Sequence, residues 1–223
     1  MRTIYHHHLC PFSRKVRIVL AEKKMDFQCH DEPYWERREG YARVNPAMQV
    51  PSLVDGEIII PDSYAICEYL EAKYPDSQLP LLGETPEEGA GIRRLVSWFD
   101  QKLFFEVTRY ILNEKVIRYY TGVGQPNSDA LRAAKANLIP HLTYITMLVT
   151  ECRWLVGDRF TLADIAAAAQ LSVLDYLGEI NWECYPEVKE WYALIKSRPS
   201  FRALLKDRTP GFHPPACYAN LDF

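Results

Sequence analysis

The sequence predicts an α/β domain followed by an all-helical domain, and three patterns in its 223 residues support that prediction. Short strand and helix signals alternate over residues 1–78. The polar stretch from Pro75 to Pro86 contains three prolines and Gly83, which is typical of a linker. Beyond it, apolar residues recur at spacings of three and four, which indicates helices. We therefore expect a linker over 79–87, a helical bundle over 88–206 and an extended tail over 207–223.

The α/β domain has the predicted order β-α-β-α-β-β-α. Apolar residues at positions 16, 19 and 20 indicate a helix over 13–24, and we expect Arg14, Lys15 and Arg17 on its solvent-facing side. Asp55-Gly56 between two short apolar runs predicts a hairpin. The remaining elements are strands over 2–7, 27–30, 49–54 and 57–60, a loose helix or loop over 35–44, and a helix that starts at Asp62-Ser63 and stops before Pro75.

The second domain is predicted to consist of helices alone. Pro140 is expected to bend the second helix, and Thr161 with Asp164 has the spacing of a capping box for the third. The first helix carries an apolar stripe that predicts either part of a homodimer surface or an internal core. The stripe contains Leu95, Val96, Phe99 and Leu103, and the predicted helices span 87–120, 127–153, 162–177, 188–196 and 201–205.

Composition and charge exclude several classes of protein. The formal net charge of -3 provides no field that would attract nucleic acid or an anionic membrane. The first residues lack the apolar segment of a signal peptide. The most apolar stretch, 162–177, contains Asp164 and Asp175 and is too short to span a bilayer. The six cysteines form no CxxC pair, so we expect free thiols in a reducing compartment, the cytoplasm.

Cys10 is the one cysteine with a physical case as a nucleophile. It stands at the predicted N-terminus of the first helix, where free N–H groups and the helix dipole favour a thiolate. Arg14 and Lys15 would add to this effect if they point back toward the sulfur. With Ser13 three residues on, there is no resolving thiol, so mixed-disulfide exchange is the natural chemistry. The alternative is that Cys10 is an ordinary turn residue.

Two further groups of polar residues have competing interpretations. Asp62 and Ser63 at a helix start suit the amino-acid-like end of a ligand, and simple N-capping is the alternative. In the run of three histidines from His6, at most two share one face of a strand, so we expect no metal site. His8 is instead expected at the mouth of a cleft, beside Cys10.

Two segments have the character of protein contacts. Trp35 lies among Arg37, Arg38 and acidic neighbours, and Trp and Arg are enriched at interface hot spots. The tail contains a second set of candidate contacts, Tyr218, Leu221, Asp222 and Phe223. The alternatives are a core tryptophan and a tail that packs on its own domain.

Four motifs, in matching order along the chain, resemble those of the glutathione-transferase superfamily. They are Cys10-Pro-Phe-Ser13, Asn45-Pro46 followed by Val50-Pro51-Ser-Leu53, Asp62-Ser63, and Phe160-Thr-Leu-Ala-Asp164. The resemblance implies a glutathione-transferase fold, with a thioredoxin-like N-terminal domain and a helical-bundle C-terminal domain. It also implies a homodimer, a cis peptide bond before Pro51, and a glutathione site formed by Val50, Pro51, Asp62 and Ser63.

A closer resemblance is carried by segments that ordinary transferases lack. Residues 32–39, 196–201 and 218–223 are similar to those of the FtsZ-binding, glutathione-transferase-like division proteins of bacteria. This resemblance implies a cytoplasmic homodimer that acts on FtsZ filaments at the division site.

Three hypotheses follow from these patterns. The first is a non-catalytic or weakly catalytic adaptor that binds FtsZ filaments, and a second division protein, without a required cofactor. Its contact residues would be Trp35, Arg37, Arg38, Leu221, Asp222 and Phe223. The second is a cysteine-type glutathione transferase or thiol transferase, with Cys10 as nucleophile and Ser13 as hydrogen-bond donor to its sulfur. The third is a binding protein that holds apolar compounds in the cleft.

Overall fold

In the computed structural model, which describes residues 1–75 and 80–221, four strands form one mixed sheet. Their order is β2-β1-β3-β4, with β1 parallel to β2 and antiparallel to β3. The chain reverses between β3 and β4 beside Gly56, which adopts φ +67°, a conformation that glycine takes without steric penalty. The predicted hairpin is confirmed. The strands are β1 (Arg2–His6), β2 (Phe27–Asp31), β3 (Ser52–Asp55) and β4 (Ile58–Pro61).

Three helices complete the N-terminal domain and confirm its predicted order and its thioredoxin-like topology. They are α1 (Pro11–Glu22), α2 (Glu39–Ala42) and α3 (Ser63–Lys73). The segment predicted as a loose helix or loop consists of a short 3₁₀ turn, Tyr34–Glu36, followed by α2. The boundary predicted between this domain and the linker falls within residues 76–79, outside the described residues.

The C-terminal domain begins with a continuous helical run over 86–121. The run consists of α4 (Pro86–Ser97), a wider π-type stretch (Trp98–Thr108), α5 (Arg109–Ile111), a second π-type stretch (Leu112–Ile117) and α6 (Arg118–Thr121). The helices that follow are α7 (Ser128–Glu151), α8 (Leu162–Tyr176), α9 (Pro186–Lys196) and α10 (Pro199–Leu205). The capping box of α8 is confirmed, because the Thr161 N–H donates to Asp164 Oδ2 at 2.9 Å and Thr161 Oγ1 accepts from the Ala163 N–H at 3.3 Å.

The apolar stripe on the long helical run lies inside the molecule. Leu95, Val96, Phe99 and Leu103 are all buried and belong to one core with α8, every residue of which is buried. Of the two predicted uses of this stripe, the internal core is therefore correct. These residues do not form a surface that a second copy of the chain could cover.

The expected solvent-facing side of α1 is also buried, so that prediction is wrong. Arg14 and Lys15 are fully buried and Arg17 is 7% exposed. The reason is that α1 lies between the sheet and the helical domain, packed against α8 and α10 as well as α3. A pattern of apolar positions identifies the face that packs on the sheet, but it does not reveal that a second domain covers the polar face.

Each buried cation of α1 has a partner in the C-terminal domain or the tail. Lys15 forms an ion pair with Asp100, and Arg17 donates two hydrogen bonds to Asp207, at 2.7 and 2.9 Å. Arg14 donates to Ser172 Oγ and to the Tyr218 hydroxyl, both at 2.9 Å.

The tail has little regular structure, as expected, but its described part is not a free arm. Tyr218 is fully buried: its hydroxyl accepts from Arg14 and donates to the Leu204 carbonyl at 3.2 Å. The expectation that Tyr218 contacts a partner is therefore wrong, because its side chain packs in the interior of its own chain. Asp222 and Phe223 lie outside the described residues.

The described helices were also compared with the requirements of a membrane span. No helix in residues 1–75 and 80–221 combines the length and the apolar character that crossing a bilayer requires.

Removing one member of the buried Lys15–Asp100 pair is expected to destabilise the protein. Asp100→Asn leaves a fully buried ammonium group without its counter-charge, and such a loss costs about 3–5 kcal/mol. Lys15→Met/Asp100→Leu removes both charges and should recover most of that loss. The free energy of unfolding of each variant is measured by urea denaturation, with circular dichroism as the signal.

The matched control is the exposed pair between Arg132 and Asp129. Arg132→Gln should change the free energy of unfolding by less than about 1 kcal/mol, since exposed ion pairs contribute little. A double variant at Lys15 and Asp100 that is less stable than Asp100→Asn alone would contradict the interpretation.

Candidate functional site

A cavity of about 910 Å³ lies in the cleft between the two domains. One wall consists of residues from the N-terminal domain, and the helical run over 86–121 forms the opposite wall. The structure brings together in this cavity five of the residues predicted for the site, namely Cys10, Val50, Pro51, Asp62 and Ser63.

Cys10 directly precedes α1, as the sequence predicts, but its thiol is buried. Only 6% of the residue is exposed, and Sγ lies 3.5 Å from the Val50 carbonyl oxygen, to which the thiol donates. Burial raises the pKa of the Cys10 thiol, and hydrogen bonds from Ser13 and the Phe12 backbone oppose this without offsetting it. The cost of desolvating a thiolate therefore outweighs the stabilisation that the helix N-terminus gives to the negative charge. Cys10 is a neutral thiol near neutral pH.

The neighbouring cations do not activate Cys10 by direct contact. Arg14 donates from Nε to the His8 carbonyl at 2.6 Å and extends into the helical domain, while Lys15 is paired with Asp100. Neither donates to the sulfur. The charge of Lys15 still lowers the pKa of the Cys10 thiol, as expected, but this effect does not offset burial. Ser13 is fully buried, its Oγ accepts from the His7 N–H at 3.4 Å, and its hydroxyl favours the Cys10 thiolate without offsetting burial.

The peptide bond between Val50 and Pro51 is cis, as the family resemblance implies. The loop before it is held by the Gln49 carbonyl, which accepts from the Tyr41 hydroxyl at 2.6 Å and from Asn45 Nδ2 at 2.7 Å. This arrangement positions Val50 and Pro51 on the cavity wall. The Val50 carbonyl is already engaged by Cys10.

Asp62 caps α3, as the sequence suggested, and it is also placed on the cavity wall. Its Oδ1 accepts from the N–H groups of Tyr64 and Ala65, at 2.8 and 3.0 Å, and so caps α3. It also lines the cavity beside Ser63. Asp62 adopts φ +75°, ψ 128°, a region where a non-glycine residue is strained by about 1–3 kcal/mol. The surrounding structure maintains this strained conformation at the cavity wall.

The three consecutive histidines start at the last residue of β1, and the first two are buried. Burial lowers the pKa of His6 and of His7 to about 3, so both imidazoles are neutral at physiological pH. His8 is absent from the described residues that line the cavity, so its expected place beside the cleft is wrong. Its ring packs edge-on to that of His6, 4.9 Å away. Residues 1–75 and 80–221 contain no group of three or more His, Cys, Asp or Glu side chains suited to a metal ion.

Trp35 contacts the helical domain of its own chain. Its ring stacks on Tyr120 at the end of the helical run, with centroids 4.8 Å apart and planes within 1° of parallel. His7 packs edge-on against the same ring at 5.0 Å. Sequence reasoning missed Tyr120 as a partner, because the two residues are far apart in sequence and neither belongs to an apolar stripe. Trp35 is half-buried, which leaves part of the ring exposed.

The other predicted contact residues lie at the surface where they are described. Arg37 is exposed, with φ +50°. Arg38 is exposed as well, but its guanidinium makes a bidentate ion pair with the carboxylate of the buried Glu32, with N···O distances of 2.6 and 3.1 Å. Leu221 is half-buried and lines a shallow groove with Leu194 of α9.

Sequence reasoning also missed the residues that the helical run contributes to the cavity. The cavity is lined by Phe104, Phe105, Arg109 and Asn113. These residues lie off the apolar stripe, so the helical pattern predicted no role for them. Two adjacent phenylalanines on the polar side of a helix were the signal that could have identified this wall.

A thioredoxin-like domain, a helical bundle and a cleft between them that holds a cis-proline define the glutathione-transferase architecture. The family model for the glutathione S-transferase N-terminal domain matches residues 4–78, and that for the C-terminal domain matches residues 121–199. The chain belongs to the glutathione S-transferase family.

Individual relatives match the chain over its whole length. FtsZ-localized protein A of Caulobacter vibrioides (strain NA1000 / CB15N) is 42% identical over 226 residues, which cover 100% of this chain and 98% of the relative. The structure of a glutathione S-transferase from Rhodospirillum rubrum F11 gives a TM-score of 0.95 at 47% identity, covering 100% of both chains. The structure of FzlA from C. crescentus gives 0.96 at 42% identity, covering 100% of this chain and 99% of the other.

The buried thiol leads to a prediction about reactivity. Near neutral pH, iodoacetamide should modify the exposed Cys184 and Cys29 well before Cys10, because Cys10 is buried and its raised pKa leaves little thiolate. Peptide mapping by mass spectrometry over a time course gives the three rates. Modification of Cys10 should accelerate as the pH is raised into the alkaline range. If Cys10 reacts first near neutral pH, the assignment of a neutral thiol is incorrect.

Proposed function

We propose that this protein is a regulator of bacterial cell division with a glutathione-transferase fold, which binds FtsZ filaments and does not depend on glutathione chemistry. The observation that carries the proposal is the full-length similarity to FtsZ-localized protein A, at 42% identity. The solved structure of FzlA from C. crescentus, at 42% identity, has the same fold over the whole chain.

The state of Cys10 supports independence from glutathione. A transferase of the cysteine type needs a thiolate, whereas burial raises the pKa of this thiol. The thiol also occupies the Val50 carbonyl, a backbone group that an extended ligand would otherwise pair with beside the cis-proline. The cleft therefore has the shape of a transferase site without an activated sulfur.

The contacts with FtsZ are assigned to the outer surface of the loop that precedes α2 and to the end of the tail. Arg37 has an exposed side chain that forms no ion pair with any described residue, so its charge is available to a partner. Trp35 and Arg38 border it, and Leu221, Asp222 and Phe223 form the second contact. A homodimer in the cytoplasm, at the division site, would bridge neighbouring FtsZ filaments. If FtsZ binds only one of the two contacts, a second division protein would bind the other.

The loop contact is tested by reversing the charge of Arg37. Arg37→Glu should reduce co-sedimentation with GTP-assembled FtsZ at least severalfold, because an exposed cation becomes an anion at the proposed interface. Arg43→Glu is the matched control, since Arg43 is exposed in the same segment and is not a predicted contact. It should pellet as the unmodified protein does. Equal loss in both variants would indicate general electrostatics, and no loss in either would exclude the loop.

The alternative function is a cysteine-type glutathione transferase, and one observation favours it. Cys10, the cis-proline Pro51, Asp62 and Ser63 all line one cavity, as that function requires. Glutathione would then be a substrate held by Val50, Pro51, Asp62 and Ser63.

Cys10→Ser separates the two functions. For the division regulator, this variant should retain full co-sedimentation with FtsZ, and calorimetric titration of the unmodified protein with glutathione should give no saturable heat. For the transferase, glutathione should bind saturably and Cys10→Ser should abolish turnover of an electrophile. Binding of glutathione together with absence of co-sedimentation would overturn the proposed function.

A further inference from the structure

His141 is a buried histidine that connects two helical elements of the C-terminal domain. It lies on α7 with 1% of its surface exposed, and α7 packs on the first π-type stretch of the helical run (Trp98–Thr108). Its Nδ1 accepts from Trp98 Nε1 at 3.1 Å, and its Nε2 lies 3.0 Å from Glu106 Oε2. One imidazole therefore holds both ends of the same π-type stretch.

The indole of Trp98 determines which nitrogen of His141 carries the proton. An indole N–H is a donor only, so Nδ1 of the imidazole must be the unprotonated nitrogen that accepts from it. The single proton of the neutral ring is then on Nε2, which donates to the Glu106 carboxylate. Both hydrogen bonds exist together only while the ring is neutral, because an imidazolium has an N–H on each nitrogen and accepts from neither side.

The surroundings of the ring favour its neutral form near neutral pH. Burial lowers the pKa of His141, and the hydrogen bond and charge of Glu106 oppose this without offsetting it. The charge of Lys102, which is itself paired with Glu106, lowers the pKa further. Helices α5 and α9 also pack on α7, but no charged group among their described residues acts on the imidazole. The ring therefore gains its second proton only below the ordinary histidine pKa of about 6.5.

Protonation affects the two hydrogen bonds of His141 in opposite ways. At Nδ1, two N–H donors then face each other, so the bond from Trp98 is lost. Trp98 is half-buried, so its indole N–H can reach water once it leaves the imidazole. At Nε2, the bond to Glu106 becomes one between opposite charges and is strengthened. The change is therefore concentrated at the Trp98 end of the π-type stretch.

The stretch that His141 holds also forms part of the cleft wall. Phe104 and Phe105 line the cavity, and both belong to this stretch. The Glu106 carbonyl accepts from Asn137 Nδ2 of α7 at 3.2 Å. Among the described residues of the stretch, Glu106 is therefore the one that keeps hydrogen bonds to α7 once the indole bond is lost. Stretches of π-type helix are rare and frequently occur at functional sites.

We propose that His141 is a pH-dependent switch on the cleft wall: on acidification Nδ1 takes a proton from solvent, the hydrogen bond from Trp98 breaks, and the Trp98 end of the π-type stretch becomes mobile. At neutral pH the imidazole holds both ends of the stretch against α7. The switch uses neither Cys10 nor the residues assigned to FtsZ binding, so it does not depend on the proposed function.

The indole N–H signal of Trp98 in the NMR spectrum of ¹⁵N-tryptophan-labelled protein reports the switch. Trp98→Phe identifies this signal among those of the five tryptophans. Between about pH 7.5 and about pH 5 it should move in one transition with a midpoint below about 6.5. His141→Gln should abolish the transition, because an amide accepts and donates without titrating. His213→Gln is the matched control, since His213 is exposed in the tail, and it should leave the transition unchanged.

The neighbouring charges give the midpoint a direction that a general loss of structure would not. Lys102→Met removes the cation that disfavours the imidazolium and should raise the midpoint. Glu106→Gln removes the anion that favours the imidazolium and should lower it. Hydrogen exchange over residues 98–103, measured by mass spectrometry below the midpoint, should be severalfold faster in the unmodified protein than in His141→Gln at the same pH.

The unmodified protein also supplies a test that needs no variant. Above the midpoint, the long-range ¹H–¹⁵N spectrum of the His141 imidazole should show the proton on Nε2 and none on Nδ1. A proton on Nδ1 at neutral pH would overturn the proposal. So would a Trp98 signal that does not change with pH, or a transition that persists in His141→Gln.

Discussion

The burial of α1 between the sheet and the helical domain is the constraint on which the rest of the structure depends. Its cations Arg14, Lys15 and Arg17 lose their hydration there, and each gains a polar partner in the helical domain or the tail instead. A buried cation without its partner is costly, so these contacts favour the observed arrangement of the two domains over others. That arrangement sets the width of the cleft, and because Cys10 directly precedes α1, it also fixes the sulfur at the cleft wall.

The same burial determines the chemistry of the cleft. Cations that could have favoured a thiolate are drawn into the domain interface, where Asp100 and Ser172 are their partners. The thiol is left with Ser13 and the Val50 carbonyl in a site from which water is largely excluded. The positive end of one helix does not compensate for that desolvation. The transferase-like shape of the cleft and the unactivated sulfur of Cys10 are therefore both consequences of the burial of α1 between the two domains.

Local features of this fold could be predicted from the sequence, and long-range polar contacts could not. Patterns of neighbouring residues determine the Asp55-Gly56 hairpin, the Thr161 cap and the order of elements. These features can therefore be predicted from short stretches of sequence. The partners of Arg14 outside its own domain, in contrast, are 158 and 204 positions away. A cation on the polar face of a helix has the same pattern whether it meets water or another domain. The cavity wall at Phe104 was missed for the related reason that it belongs to no stripe.

The stacking of Trp35 on Tyr120 has a consequence for how the surface can be assigned to a partner. The ring connects the loop before α2 to the end of the helical run, so it contributes to the relative position of the domains as well as to the outer surface. A change at Trp35 would alter both, and loss of binding could not be attributed to a lost contact. Arg37 is free of this ambiguity because its exposed side chain has no such neighbour in the ring contacts of the described residues. Surface side chains that also hold the two domains together are therefore unsuitable for testing partner binding. Substitutions at the remaining surface side chains can be attributed to a lost contact with the partner.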